Sequence, residues 1–428
     1  MKRSAKTLML LAVLLLCVGG YCLMNQGGET AAVTEESGTF DLTAHLAEDL
    51  TGLQWQRNGE NYHFVKENDA WVNADSADFP VNQAAVQALA DDLADMTATR
   101  KLEDVSDLSA YGLAEPAFTV TAAWSDGSST TFAMGDSTPF ADGYYLTIGQ
   151  EGIAYTVASS LSVMFADDMN DLAQMEEIPA ADSVTRMVVG STLDASYAET
   201  SRTVNEDQHW YDGEGHALDG VDSLVSSAQG IEWKTLVEPA AADLGAYGLD
   251  DESATPVTLY SGDEVALCLL LGGTDDSGNY YARLPESAMV YTVASSSVST
   301  LLTTSTESLI STALVETAYA NLQAATFTMG DSSYELIPQT VESEEAETAD
   351  DPGEDLWALL TGITASGHTT DPMGETLLTV AVTTADGNGA TVIFAAHDVD
   401  NYIAAMDSRT LLVPAADVDK LIRSLKAQ

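Results

Sequence analysis

Few residues in this chain are spaced for chemistry. The six histidines (His45, His63, His209, His216, His368 and His397) form no metal-binding pair at helical spacing. The three cysteines give neither a zinc site nor a disulfide framework. Cys17 and Cys22 lie in an N-terminal apolar segment. Cys268 stands alone in Val265-Ala266-Leu267-Cys268-Leu269-Leu270-Leu271, which reads as a buried strand with the thiol as a small core hydrophobe. His209 and His216 flank Trp210 and read as surface residues. Asp275, Asp276 and Asn279 around Gly278 carry oxygens of the kind calcium prefers. Their spacing is not that of an EF-hand loop, and a strand-connecting turn accounts for them. There is no Gly-x-Ser-x-Gly elbow, no His-Glu-x-x-His, no Cys-x-x-Cys and no Gly-x-x-x-x-Gly-Lys-Ser/Thr loop. The sequence therefore assigns no catalytic residue, no cofactor-binding residue and no metal ligand. It leads us to expect no cofactor and no enzymatic activity.

What the chain does offer is repetition. Ala110-Tyr111-Gly112-Leu113 returns as Ala246-Tyr247-Gly248-Leu249, and Tyr155-Thr156-Val157-Ala158 returns as Tyr291-Thr292-Val293-Ala294. Both recur at one offset of 136 residues (247 − 111 and 291 − 155). A period that long implies duplicated domains rather than a solenoid of ~20–50-residue units. Gly112 and Gly248 suit backbone angles that other residues resist. Tyr111 and Tyr247 should pack at a helix–sheet junction, with their hydroxyls reaching a partner.

The elements that would position these motifs follow one order. Leu53 to Gln56 and Tyr62 to Val65 alternate as a strand pair around Asn58-Gly59, a strong hairpin signal. Trp71 marks a short strand. Val86, Leu89, Ala90 and Leu93 then take helical spacing, with Asn82 as N-cap. Beyond Tyr111-Gly112-Leu113…Pro116 come further strands; Phe118, Val120, Ala122 and Trp124 share one face, and Asp126-Gly127 turns the chain. The second copy repeats this with Trp210, a helix carrying Val221, Leu224, Val225 and Ala228, and Tyr247-Gly248-Leu249, with Pro256 closing a longer turn. Trp71, Trp124 and Trp210 read as core. A third, decayed copy has a hairpin across Gly330-Asp331, a helix with Leu356, Leu359, Leu360 and Ile363, and a turn over residues 366–372 where Tyr-Gly-Leu would stand. Residues 341–355 are so acidic that a disordered loop is expected.

Composition narrows the partners. Sixty-seven acidic residues against 15 basic ones leave a net charge of −52, so the chain lacks the clustered cations that displace counterions from nucleic acid. Lys2, Arg3 and Lys6 precede an apolar run, and acidic residues follow it. That order reads as an uncleaved anchor with its amino terminus inside and the rest of the chain outside. A cleaved signal peptide, cut near Ala32, is the alternative. Leu16 before Cys17 and Tyr21 before Cys22 fit a lipoprotein signal poorly.

The Trp strand, helix, Tyr-Gly-Leu…Pro turn and closing Tyr-x-Val resemble a bacterial family known as domain of unknown function 4340 (DUF4340). The resemblance rests on Trp71, residues 81–96, Tyr111-Gly112-Leu113…Pro116 and Tyr155-Thr156-Val157. Its second set is Trp210, residues 221–228, Tyr247-Gly248-Leu249…Pro256 and Tyr291-Thr292-Val293. It implies single-span envelope proteins, some beside gliding- or export-type ABC transporter components, and it supplies no catalytic residue. The expected protein is α+β: tandem β-rich repeats, each a mainly antiparallel sheet with one or two helices, after an N-terminal transmembrane helix. The expected segments are an anchor (1–24), an acidic linker (25–39), repeats at 40–166 and 167–302, and a divergent repeat at 303–428. The expected role is that of a membrane-anchored extracytoplasmic interaction module, with an envelope or ABC-transporter protein as partner. The other classes are a binding protein for divalent cations or cell-wall glycans, and an unrecognised hydrolase.

Overall fold

A computed structural model describes residues 33–166, 168–338 and 352–428. The expected anchor (1–24), residues 25–32 of the expected acidic linker and residues 341–351 of the expected acidic loop lie outside the described residues. The chain divides into two compact units, with the boundary between Met175 and Glu176.

Hairpins build the sheets. At Asn58-Gly59 both residues have positive φ (52° and 85°). That is the geometry in which a two-residue loop matches the twist of its flanking strands. The first unit holds β1 (Thr34–Asp41), β2 (Leu50–Arg57), β3 (Glu60–Glu67), β4 (Ala70–Asn73), β5 (Thr97–Glu103), β6 (Phe118–Trp124), β7 (Ser129–Ser137), β8 (Tyr144–Thr147) and β9 (Ala154–Val157). The second unit holds two sheets. One contains β10 (Arg186–Val189), β11 (Leu193–Tyr197), β12 (Trp210–Tyr211), β13 (Thr235–Glu238), β14 (Thr255–Ser261), β15 (Glu264–Thr274), β16 (Tyr280–Arg283) and β17 (Val290–Val293). The other contains β18 (Leu322–Met329), β19 (Ser332–Leu336), β20 (Gly367–His368), β21 (Thr376–Thr384), β22 (Gly389–Ala396), β23 (Asn401–Met406) and β24 (Arg409–Pro414).

Read from one edge, the orders are β1-β5-β9-β8-β7-β6-β2-β3-β4, with β1 an added edge strand, β13-β17-β16-β15-β14-β10-β11-β12 and β20-β24-β23-β22-β21-β18-β19. The three sheets share one antiparallel topology. In the third, no described strand stands for β4 or β12. Residue register repeats as well: Leu146 pairs with Tyr155, and Ala282 pairs with Tyr291.

Each sheet buries one face under helices. In α1 (Gln83–Ala94) the Asn82 side chain accepts from the Ala85 amide at 3.1 Å, and Val86, Leu89, Ala90 and Leu93 are buried. Those four meet Trp55, Tyr62, Phe64 and Phe132 in the first core. In α2 (Val221–Gln229) the buried residues are Val221, Leu224, Val225 and Ala228. The second sheet also carries α3 (Ser295–Thr303). The third is covered by α4 (Pro352–Thr361) and by α5 (Ala415–Leu425), which buries Val418, Leu421 and Leu425.

Several boundaries differ from the expectation. The acidic linker (25–39) ends early, because Thr34–Asp41 is a strand on the outer edge of β5. It is held by main-chain bonds and an Arg100–Glu35 ion pair at 3.0 Å rather than by burial, so hydropathy gave no signal. Residues placed at the head of the second repeat complete the first: Leu172 is buried in the first core, and Ala173 bridges Val81. Thr306–Leu309 belongs to the second repeat, where the Thr306 amide bonds Thr192 O. Pro352 to Asp355, expected in a disordered loop, open α4. Pro256 lies inside β14 rather than closing a turn.

The Tyr-Gly-Leu turn rests on a close backbone approach. Gly112 and Gly248 have φ of 70° and 67°. Asp107 and Asp243 cap these turns by accepting from the Ser109 and Gly245 amides. The carbonyl of Tyr111 lies against Gly135 of β7, and that of Tyr247 against Gly272 of β15. A Cβ on those glycines would stand 2.2 and 2.3 Å from the oxygens. The third repeat meets the same need with Gly374, whose Cβ would stand 2.3 Å from Ala396 O.

Two predictions follow from this packing. Gly272→Ala should lower stability by about 1–3 kcal/mol, because neither backbone can yield freely. Gly213→Ala, whose Cβ meets open space, should shift it by under ~0.5 kcal/mol; urea denaturation of both variants checks this. Thr156 Oγ1 and Thr292 Oγ1 occupy one repeat position, and both are buried with no hydrogen-bond partner among the described residues. Thr292→Val removes that desolvated hydroxyl and should raise stability by roughly 1 kcal/mol in the same assay; a loss would refute the assignment.

Candidate functional site

Most residues singled out by the sequence serve packing. Tyr111 meets the edge of Tyr145 at 4.7 Å, and Tyr247 that of Tyr281 at 5.0 Å. The tyrosines thus lean on a strand, and their hydroxyls, expected to reach a partner, bond to no described residue. Burial raises the Tyr145 and Tyr247 hydroxyls above their usual range. Trp71, Trp124 and Trp210 are buried, and their indole N–H groups donate to Gln87, Thr130 and Asp222. Cys268 is not a core residue. Leu267, Leu269 and Leu271 take the buried face of β15, and Cys268 points to the other, where it is half-buried beside Thr258. An unbroken apolar run conceals that alternation.

The acidic loop of the second sheet is a turn. Asp275 accepts from the Asn279 side chain and from the Ser277 and Asn279 amides, each at 2.8 Å, around Gly278 at φ 82°. The Asn279 side-chain bond leads the causes that hold its carboxyl below the usual range. Among the described residues, no group of three or more His, Cys, Asp or Glu side chains is arranged to hold a metal ion.

The site that carries polar geometry lies within the second unit, where a long loop of the second repeat meets the third. Val204 enters the third core. Asn205 donates to Leu314 O at 3.2 Å, Gln208 to Ser311 Oγ at 2.8 Å, and Asn388 to Ser201 O at 3.2 Å. Beside these contacts is a cavity of about 250 Å³ lined by Arg202, Glu214, His216, Asp407, Ser408 and Arg409.

His216 organises it. Its Nδ1 is 2.9 Å from one oxygen of Asp212, and its Nε2 is 3.2 Å from Ser408 Oγ. The other Asp212 oxygen accepts from the Glu214 and His216 amides at 2.9 and 2.8 Å. Burial pushes the Asp212 carboxyl up, but the bonds from the His216 ring and these amides outweigh it, leaving the carboxyl below its usual range. Asp407 and Ser408 both have positive φ (49° and 63°) and form the two-residue turn between β23 and β24. Arg409 is buried, donates to Ser311 O, and lies 3.6 Å from Asp407. Burial lowers its pKa. Arg202 stacks over Tyr211 at 5.0 Å.

The reading of His209 and His216 as surface residues is therefore corrected. His209 is half-buried, with Nδ1 2.9 Å from Ala198 O, and the His216 side chain is only 18% exposed. Asp212 four residues before His216 was a visible spacing. Ser408, 192 residues away, carried no signal.

Fold and site together define a repeat protein, in which one sheet topology occurs three times and the second and third copies are clasped through a loop. Over residues 71–213 and 216–380 the sequence matches the family described as domain of unknown function (DUF4340), and the chain belongs to that family. The matched unit is out of phase with the sheets: the first match runs from the Trp71 strand, through α1 and β5–β9, into β10–β12 of the next sheet. No curated protein and no solved structure matches the chain.

Arg409→Met should test the clasp. It leaves Ser311 O and Asp407 without their buried donor, at a cost of about 1–3 kcal/mol. Faster amide exchange over residues 305–315 and 409–414 is the expected readout.

Proposed function

We propose that the chain is a membrane-anchored extracytoplasmic module that works by binding a protein partner in the cell envelope. Residues 1–24 hold it to the membrane, with the acidic remainder outside. The observation that carries this reading is what the repeats share. Tyr111 and Tyr247, Gly112 and Gly248, and Trp71 and Trp210 recur at matching places, and each pair serves packing. What the duplication multiplied is therefore sheet surface, which suits contact with other proteins. A net charge of −52 supports the same reading, since it keeps an exposed chain soluble and repels anionic polymers. The resemblance to envelope proteins beside ABC transporter components suggests an accessory to such a transporter as the specific role.

Protease added to intact protoplasts should degrade the chain beyond the anchor. In-cell crosslinking with mass spectrometry should then recover one membrane-protein partner reproducibly. Protection from protease, or crosslinks confined to the chain itself, would refute the proposal.

A further inference from the structure

We propose that Ser408 is a nucleophilic serine, activated by His216 and positioned through Asp212, that accepts the acyl group of a small carboxylic ester. The inference stands apart from the partner-binding role and rests on the cavity alone.

Three features of that cavity point the same way. The first is atom order. Asp212 Oδ2 lies 2.9 Å from Nδ1 of His216, so Nδ1 carries the proton and Nε2 keeps its lone pair, 3.2 Å from Ser408 Oγ. The second is graded exposure. The Asp212 and His216 side chains are 10% and 18% exposed, whereas Ser408 is open to solvent. A mostly buried orienting acid, a half-buried base and an accessible hydroxyl are what acyl transfer needs. Two amides grip the second Asp212 oxygen, so the carboxylate cannot turn away from the ring. The third is charge. Arg202 and Arg409 bring two guanidinium groups to the cavity and Glu214 and Asp407 two carboxylates; Arg409 is engaged by Asp407 and Ser311 O, which leaves Arg202 to face negative charge developing on a carbonyl oxygen.

Size and competition set the substrate and the pace. A volume of about 250 Å³ is below the ~300–1,000 Å³ of pockets for drug-sized ligands, so the acyl group is short. The Ser408 hydroxyl also reaches Asp407 O at 2.6 Å. It must turn from that carbonyl to His216 before it reacts, and turnover is slow.

In the first step, His216 Nε2 takes the Ser408 proton as Oγ bonds to the ester carbon, and the carbonyl pair moves onto its oxygen. Collapse breaks the bond to the alcohol, which leaves with the proton from His216. Water, deprotonated by His216, then attacks acyl-Ser408. This releases the carboxylic acid and returns the proton to Oγ.

A fluorophosphonate probe tests the site, because attack by Oγ on phosphorus expels fluoride while His216 takes the proton. The full chain, treated with the probe and read by peptide mass spectrometry, should carry one adduct, on Ser408. Ser408→Ala should abolish it. His216→Gln, checked for folding by circular dichroism, should slow labelling by about 100-fold. Asp212→Asn should slow labelling and flatten its pH profile, which a purely structural clasp would not do. No adduct on the folded wild-type chain would overturn the proposal even if a variant failed to fold. So would an adduct elsewhere, or Ser408 labelling at an equal rate in His216→Gln.

Discussion

The close approach of one carbonyl to one glycine governs this architecture. In the first sheet the chain leaves β5 at one side and must re-enter at β6, with β7, β8 and β9 lying between them. The crossing segment is the turn that ends in Tyr111-Gly112-Leu113, and it runs over those strands. Tyr111 O sits on Gly135 of β7, the Tyr111 ring sits on Tyr145 of β8, and Leu113 is buried beside Leu102. Any side chain at Gly135 would lift the crossing off the sheet. The second sheet reproduces the arrangement with Tyr247, Gly272 and Tyr281. In the third, Gly374 and Glu375 run against β22 and exchange main-chain hydrogen bonds with Ala396 at 3.0 and 2.9 Å. The topology imposes one steric demand, and the repeats meet it with different residues.

That demand explains why the motif is prominent although it performs no chemistry. A crossover over an antiparallel sheet must satisfy its own backbone groups while packing closely. A short helical turn capped by Asp107 or Asp243 and ended by a left-handed glycine does both in few residues. The half-exposed tyrosine rings are the outer side of the same joint.

The second and third repeats are joined by different means. The loop over 201–217 is polar, and its contacts are hydrogen bonds donated by Asn205 and Gln208 and one shared between His216 Nε2 and Ser408 Oγ, with Val204 as the apolar peg. Buried polar groups are tolerated only when paired, so such a joint is specific in geometry. It also encloses the cavity at His216, which exists only because two repeats meet.

Local and periodic features were legible in the sequence. The offset of 136 residues, the Asn58-Gly59 hairpin, the Asn82 cap and the buried stripes of α1 and α2 all follow from interactions spanning a few residues, or from internal copying. The third copy was readable from its hairpin and strands despite lacking Tyr-Gly-Leu. Features held by distant backbone were not legible. Strand β1 is exposed along most of its length and depends on its partner strand, so its residues look like a tether. Cys268 lies in a run whose alternation appears only when the sheet has two unlike faces. Gly135 and Gly272 are unremarkable in one dimension because the carbonyl that requires them comes from another segment. The sequence by itself determined the repeats, their elements and most of each core. Tertiary structure alone decided that His216, held by Asp212, would share a cavity with Ser408, because contact between residues 192 positions apart is set by how two folded sheets pack and leaves no local pattern.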